Sequence, residues 1–377
     1  MIVDEGELTN LCGGTWQGIE VLGNPNTHQY GAGQQGVVEL KNGAKVKYAD
    51  MGVSLFERGN AGQTGGGILR VAGAEFTDNR WGVVFYDYAY QFNRVELSNR
   101  SYVNNGTFNL TEDYPFDVFF AHAYVGFVNG VRFRDCTFTD DRPAGQLADD
   151  SQLARGIRSE GARFTAEGCR FSNLLYGIDA LGFGESRNFR ARACTFTGCY
   201  VGLSMRGVDN AQVTESLFTV GGYNRPVDSG IGDPSLHSGI FIDRSSGFAI
   251  EKDTFEHHDA AVNTTIGITA QDTNLPDGNE SQHSDYNEIY SNAFTGLSNY
   301  FWEQGINEEP VCSPEFKMAS LLLAGEKIIP IWQIKTTSAG ITYSPLTAPG
   351  RYCGNTSLRA ANFGKEPRPS PRPPPAA

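Results

Sequence analysis

Charge is scarce in this sequence: only 19% of its 377 residues are charged, and 43 acidic against 30 basic side chains leave a formal net charge of −13. The Arg residues are scattered among acids and nowhere form a basic block, so a phosphate backbone would be repelled and nucleic acid is excluded as an expected partner. Residues 1 to 20 lack the basic start and apolar run of a secretory signal. The apolar stretch Met318 to Trp332 is interrupted by Glu326 and Lys327 and is too short to span a bilayer, so membrane insertion is not expected. Long amphipathic helical patterns are missing as well. Methionine and tryptophan are few, at 4 each, whereas glycine (45), phenylalanine (24) and tyrosine (16) are plentiful, a balance that suits many short strands joined by tight turns.

The seven cysteines are an odd number and have no metal-type spacing. Cys136, Cys169 and Cys194 each stand two residues before a Phe, which reads as a repeated structural position holding buried thiols stacked on one another. Cys194 with Cys199, or Cys312 with Cys353, remain possible disulfides in an oxidising compartment.

A recurring phrase runs along the chain: a small or polar residue, any residue, Phe, then usually Thr or Ser. It appears around Phe76, Phe138, Phe171, Phe196, Phe218, Phe255 and Phe294. Successive Phe residues lie 62, 33, 25, 22, 37 and 39 apart, with Tyr102 dividing the first gap into 26 and 36. The shortest interval is one coil, and the longer ones imply loops inserted into coils. A second phrase, Gly then an aliphatic residue then alternation, follows: Gly18-Ile19, Gly52-Val53, Gly82-Val83, Gly156-Ile157, Gly177-Ile178, Gly202-Leu203, Gly239-Ile240 and Gly267-Ile268. A third short strand lies between them, as in Ala211-Gln-Val213-Thr. Three strands in a turn of about 22 residues make a triangular solenoid, an all-β right-handed parallel β-helix in which stacked coils bury each other's inward side chains. The glycines are expected to turn the corners.

The stretch Gly13-Gly-Thr-Trp-Gln-Gly-Ile-Glu-Val21, followed by Gly36-Val-Val-Glu-Leu-Lys-Asn-Gly-Ala44, resembles the opening of right-handed β-helix repeat proteins exported by bacteria, in particular surface proteins of the type IX secretion kind. The resemblance implies an extracellular or cell-surface location. It is specific for architecture and weak for activity, because such folds host lyases, hydrolases and adhesins. Residues 1–298 are read as the β-helix, 299–365 as an irregular C-terminal segment or cap, or sequence foreign to the helix, and 366–377 as a Pro-rich disordered tail. The strand-like start at Met1-Ile-Val implies an open coil, as in a piece of a longer chain.

The Gly-Ile strands predict two outward columns: Arg158, Asp179, Ser204, Phe241 and Thr269, then Glu160, Leu181, Arg206, Asp243 and Gln271. Coils ~4.8 Å apart place Glu160 and Asp179 roughly 8 Å from each other, within the ~6.5–9.5 Å of inverting glycosidase carboxylates. Glu160, Asp179, Arg158, Arg206 and Asp243 are therefore the candidate catalytic face. The plainer reading pairs Arg158 with Asp179 and Arg206 with Asp243 as cross-strand ion pairs. Tyr86, Tyr88, Tyr90 and Phe241 are candidate sugar-stacking residues. Asp140-Asp141 and Asp149-Asp150, in an expected loop, are the candidates for a Ca²⁺ cofactor, with unconstrained solvated acids as the alternative. The adjacent His257 and His258 would point in opposite directions if extended, so they are assigned to a turn rather than a metal. The paired Asp-Asp, Gly-His-Gly and Arg-Ile-Lys set of polygalacturonases is missing, as is the pectate-lyase signature. The functional expectation is thus a surface β-helix that binds polysaccharide or another surface, with a lyase or hydrolase acting on acidic glycans, or a structural spacer, as alternatives.

Overall fold

The computed structural model describes residues 1–30, 33, 35–144, 153–183, 188–225, 227, 236–259, 264–271, 288–304, 322–323, 332–337 and 340–345. It is a right-handed parallel β-helix. Each coil carries three short strands, as in Tyr176–Leu181, Phe189–Arg192 and Thr195–Thr197, and every strand pairs in parallel with its counterpart one coil away. Among the described residues the sole α-helix is the single turn Ala61–Thr64. No described helix is long and apolar enough to cross a membrane.

The Phe phrase forms a spine. Phe76, Phe108, Phe138, Phe171, Phe196, Phe218, Phe255 and Phe294 occupy one register position on successive coils. Their rings stack at centroid distances of 4.6–4.9 Å with planes 3–11° apart. That spacing is the ~4.8 Å between hydrogen-bonded strands, so the backbone ladder sets the ring geometry. Phe108, not Tyr102, is the member of the spine in the first gap; Tyr102 lies in the neighbouring column opposite Arg70 and Arg132. Phe108 is followed by Asn109 rather than Thr or Ser, a departure shared by Phe255, which is followed by Glu256.

Two residues before each Phe, a buried column of small or polar side chains includes Ala74, Cys136, Cys169, Cys194, Ser216, Asp253 and Asn292. Hydrogen bonding with Cys169, and burial after it, hold the Cys136 and Cys194 thiols well above their ordinary pKa. Cys194 and Cys199 are both free thiols, so no disulfide joins them. Cys312 and Cys353 lie outside the described residues. Further along, the column becomes a hydrogen-bonded chain: Asn292 Nδ2 donates to the Ile250 carbonyl (3.0 Å), Asp253 N to Asn292 Oδ1 (2.8 Å), Ser216 N to Asp253 Oδ1 (2.6 Å) and Cys194 N to Ser216 Oγ (3.2 Å).

Apart from Gly18 (φ 98°), the Gly-Ile glycines do not turn corners. Gly177, Gly202 and Gly239 are not in the left-handed region; a Cβ on Gly177 would lie 2.5 Å from the Gly202 carbonyl oxygen and 2.6 Å from the Phe196 ring. They are glycine because the next coil's Phe occupies the space where a side chain would stand. The corners belong to single residues just before the small-residue column, with φ of 52° at Asp135, 51° at Ala193, 57° at Glu215 and 59° at Lys252.

The parallel ladder continues past residue 298. Asn299–Gln304 pairs with Thr264–Gln271, and Leu322–Leu323 pairs with Ala293–Thr295. Asn299–Gln304 has Tyr300-Phe301 where other coils have Gly-Ile, so its phrase was not recognisable. Beyond it, Trp332–Thr337 and Gly340–Pro345 form an antiparallel hairpin. The Pro-rich tail lies outside the described residues.

Candidate outer-face binding site

Alternation of burial separates core from outer face in the first of the strands that carry the candidate residues, whereas in Tyr176–Leu181 and Val201–Arg206 the outward Asp179 and Ser204 are themselves buried. In Arg155–Glu160, Ile157 and Ser159 are buried while Arg158 and Glu160 are partly exposed. Both outward columns fall as the alternation requires: Arg158, Asp179, Ser204, Phe241 and Thr269 lie in one register, and Glu160, Leu181, Arg206, Asp243 and Gln271 in the other.

The ion pairs differ from those expected. Arg158 turns along its own strand to Glu160, with Nε and Nη2 donating to Oε1 at 3.0 and 2.7 Å, because residues two apart share a face. The other oxygen of Glu160 accepts the Tyr124 hydroxyl at 2.8 Å. Burial, helped by the Glu160 carboxylate, raises the pKa of Tyr124 and keeps it a donor. Asp179, opposite Arg158 in register, is instead gripped by two other guanidiniums: Arg206 Nη2 donates to Oδ1 at 2.5 Å, and Arg155 Nε lies 3.5 Å from Oδ2. Burial lowers the pKa of Arg155, against the pull of Asp179; in Arg206 burial acts the same way but Asp179 outweighs it. Asp243 pairs with the next residue, Arg244, at 2.9 Å, rather than with Arg206. All three candidate carboxylates are thus held by guanidiniums.

Beside this charged stretch lies an aromatic strip that sequence reasoning largely missed. Trp81 stacks on Phe120 (4.5 Å, 16°) and meets Tyr124 edge-on (5.4 Å). Tyr86 touches Phe56, Tyr124 and Phe127 at 5.9–6.1 Å, and Phe127 touches the exposed Phe183 at 5.6 Å. Arg80 caps the far end, 4.7 Å over Phe120. Trp81, Tyr86, Phe120, Tyr124 and Phe127 are all partly exposed. Gly126, between Tyr86 and Glu160 in register, makes room for the strip: a Cβ there would lie 2.7 Å from the Tyr124 ring and 2.8 Å from Tyr86. Tyr124 escaped notice because its strand, Ala121–Arg134, reads His122-Ala123 where other coils read Gly-Ile. His122 faces the core, where burial lowers its pKa to about 4 and its Nε2 lies 2.9 Å from the Thr139 carbonyl.

Of the expected stacking residues, Tyr86 belongs to the strip. Tyr88 does not: it is 5% exposed in the main core, its hydroxyl donates to the Thr27 carbonyl, and burial raises its pKa to about 12. Tyr90 packs against that core and against His28, away from Tyr86. The departure has a simple cause, since the tyrosines at 86 and 88 sit on either side of the left-handed Asp87 (φ 52°), which breaks the alternation. Phe241 is on the outer face but packs on a small second cluster of Leu153, Leu175, Tyr176, Tyr200, Val201, Tyr223 and Val227, which covers part of the sheet.

The two acids of the Asp140-Asp141 pair proposed for Ca²⁺ differ: Asp141 is exposed, as the solvated alternative expects, and accepts the Thr139 hydroxyl at 3.2 Å, whereas Asp140 ends the strand Thr137–Asp140. Asp140 is fully buried, receives Nε and Nη2 of Arg142 at 3.0 and 2.8 Å, and also pairs with Arg225. Its oxygens are therefore committed to guanidiniums, neither solvated nor open to a cation. Asp149 and Asp150 lie outside the described residues. His257 ends the strand Thr254–His257, its Nδ1 3.4 Å from Thr265 Oγ1, and His258 follows that strand. Among the described residues no group of three or more His, Cys, Asp or Glu side chains is arranged to hold a metal ion.

No protein-family model matches the sequence, and no curated protein matches it. Among solved structures the chain is similar to PfbA, a surface adhesin of Streptococcus pneumoniae, at 10% identity over 88% of this chain and 100% of that one, with a TM-score of 0.32. A likeness at that level carries no argument about function.

Proposed function

We propose that this chain is a surface-exposed or extracellular β-helix that binds polysaccharide through the outer face of its Gly-Ile sheet. The observation that carries the proposal is the strip of Trp81, Phe120, Tyr124, Tyr86 and Phe127, five partly exposed rings in mutual contact on a rigid sheet. Packed aromatic rings facing water offer flat apolar surface to the faces of sugar rings, while the Tyr124–Glu160–Arg158 network beside them offers fixed polar groups to sugar hydroxyls. A sheet holds such a strip with little entropy left to lose on binding, which favours affinity. The guanidinium-bound carboxylates supply no observation that puts catalysis ahead of binding.

The test is a polysaccharide panel probed by affinity electrophoresis and glycan array with the intact chain and with the Trp81→Ala/Tyr86→Ala double variant. Retardation by at least one polysaccharide, weakened about tenfold or more in the variant, is the expected result, since each ring stacked on a ligand contributes on the order of 1 kcal/mol. Binding that the double variant leaves intact would place the ligand elsewhere, and a panel without binding would sink the reading.

A further inference from the structure

We propose that the polysaccharide bound by this face is anionic, a chain bearing carboxylate or sulfate groups; this rests on the binding reading above and names its ligand class. Next to the aromatic strip, four consecutive strands of the Gly-Ile sheet present Arg155 and Arg158, then Asp179, then Arg206, then Asp243 followed by Arg244. In each ion pair the guanidinium is the outer member. Arg206 and Arg155 have side chains 35% and 21% exposed against 3% for the Asp179 they share; Arg158 is 29% exposed against 18% for Glu160; Arg244 is 66% exposed against 11% for Asp243. A ligand approaching the sheet therefore meets cations first, with their counter-charges beneath them. Among the described residues of these strands, four guanidiniums share three carboxylates, a locally cationic balance on a chain whose net charge is −13.

The hydrogen-bond inventory points the same way. Arg155 Nε, in ionic contact with Asp179 Oδ2 at 3.5 Å, completes no hydrogen bond, and neither do Arg206 Nε and the buried Ser204 hydroxyl beside Asp179. All three groups can donate, so this layer is short of acceptors, and buried donors without acceptors are costly. A carboxylate or sulfate drawn onto the exposed ends of the guanidiniums lets Asp179 yield part of its hold on them and turn its oxygens toward the unsatisfied donors beneath. Adjacent strands are ~4.8 Å apart, so the cationic row covers about 14 Å across four strands. It continues directly from Tyr124, whose hydroxyl is bonded to Glu160. A polymer crossing the strands would lay sugar rings on the aromatic half and its charges on the cationic half.

The experiment compares charged and uncharged forms of the same backbones: polygalacturonate against its fully methyl-esterified form, and dextran sulfate against dextran, each at low and high salt. The expected result is that at least one charged polymer binds about tenfold or more tighter than its neutral counterpart, with the margin shrinking as salt screens it. The uronate and sulfate arms identify which anion is read. The Arg158→Gln/Arg244→Gln variant should lose most of the margin, and Arg134→Gln, an exposed guanidinium off this sheet paired with Glu167, should keep it. Equal binding of charged and neutral forms would overturn the anionic assignment while leaving polysaccharide binding intact. A margin that survives in Arg158→Gln/Arg244→Gln would overturn it too, and binding of none of the four polymers would overturn both readings.

Discussion

At the scale of single residues, the glycine of the Gly-Ile phrase and the polar member of the small-residue column give the sharpest tests. Gly177→Ala would drive a methyl group against the Gly202 carbonyl and the Phe196 ring. Overpacking of this kind costs about 1–3 kcal/mol, so the midpoint of denaturant unfolding should fall clearly, whereas a corner role would predict a mild effect of alanine, as at Ala193. Asp253 gives a pH signature. Burial raises its pKa from 3.8 to about 8, and its Oδ2 has no partner. The folded state keeps this proton between those values while the unfolded chain has lost it, so stability is fullest below about pH 4 and falls until about pH 8. His122 works in the opposite sense: with its pKa lowered from 6.5 to about 4, its contribution is present above 6.5 and lost as pH falls through that window. The two slopes offset each other at acid pH, leaving a decline between about pH 6.5 and 8 of up to about 2 kcal/mol. Urea titrations across this range should show the decline in the parent and its absence in Asp253→Asn.

At the scale of elements, the account turns on the Phe spine. Phe196 is 1% exposed and stacks on Phe171 and Phe218 at 4.8 and 4.6 Å. Removing it opens a void that the flanking coils cannot close without breaking their ladders. Phe196→Ala should therefore cost about 3–5 kcal/mol, measured by equilibrium unfolding, and Phe196→Leu much less. The strand columns were legible in the sequence because each coil repeats two phrases in a fixed order, and the period of two assigned faces within each strand. Arg158, Asp179, Ser204 and Phe241 accordingly fell in one register as expected. The corners were not legible: Ala193, Glu215 and Lys252 adopt left-handed backbone without belonging to the residue types that favour it. One strand was also obscured by its own substitution, Ala121–Arg134 by its His122-Ala123.

At the scale of the molecule, register says which residues share a face but not which partners their side chains take or what covers them. The candidate carboxylates lie in the outward columns, yet Arg206 reaches Asp179 rather than Asp243, and Arg158 reaches Glu160 rather than Asp179. The proposed ligand platform, around Trp81 and Tyr124, depends on contacts between residues about forty positions apart and on the empty position at Gly126. Sequence alternation alone does not display either. The solenoid makes this platform extended, with an aromatic half and a cationic half on neighbouring coils of one continuous sheet.

The most direct test of that picture is hydroxyl-radical footprinting of the intact chain with and without a polysaccharide that retards it in electrophoresis. The account predicts protection concentrated at Trp81, Tyr86, Phe120, Tyr124 and Phe127, while the exposed Tyr30 and Phe92, which lie outside the strip, react as before. Protection at Tyr30 and Phe92 with the strip left reactive would contradict it.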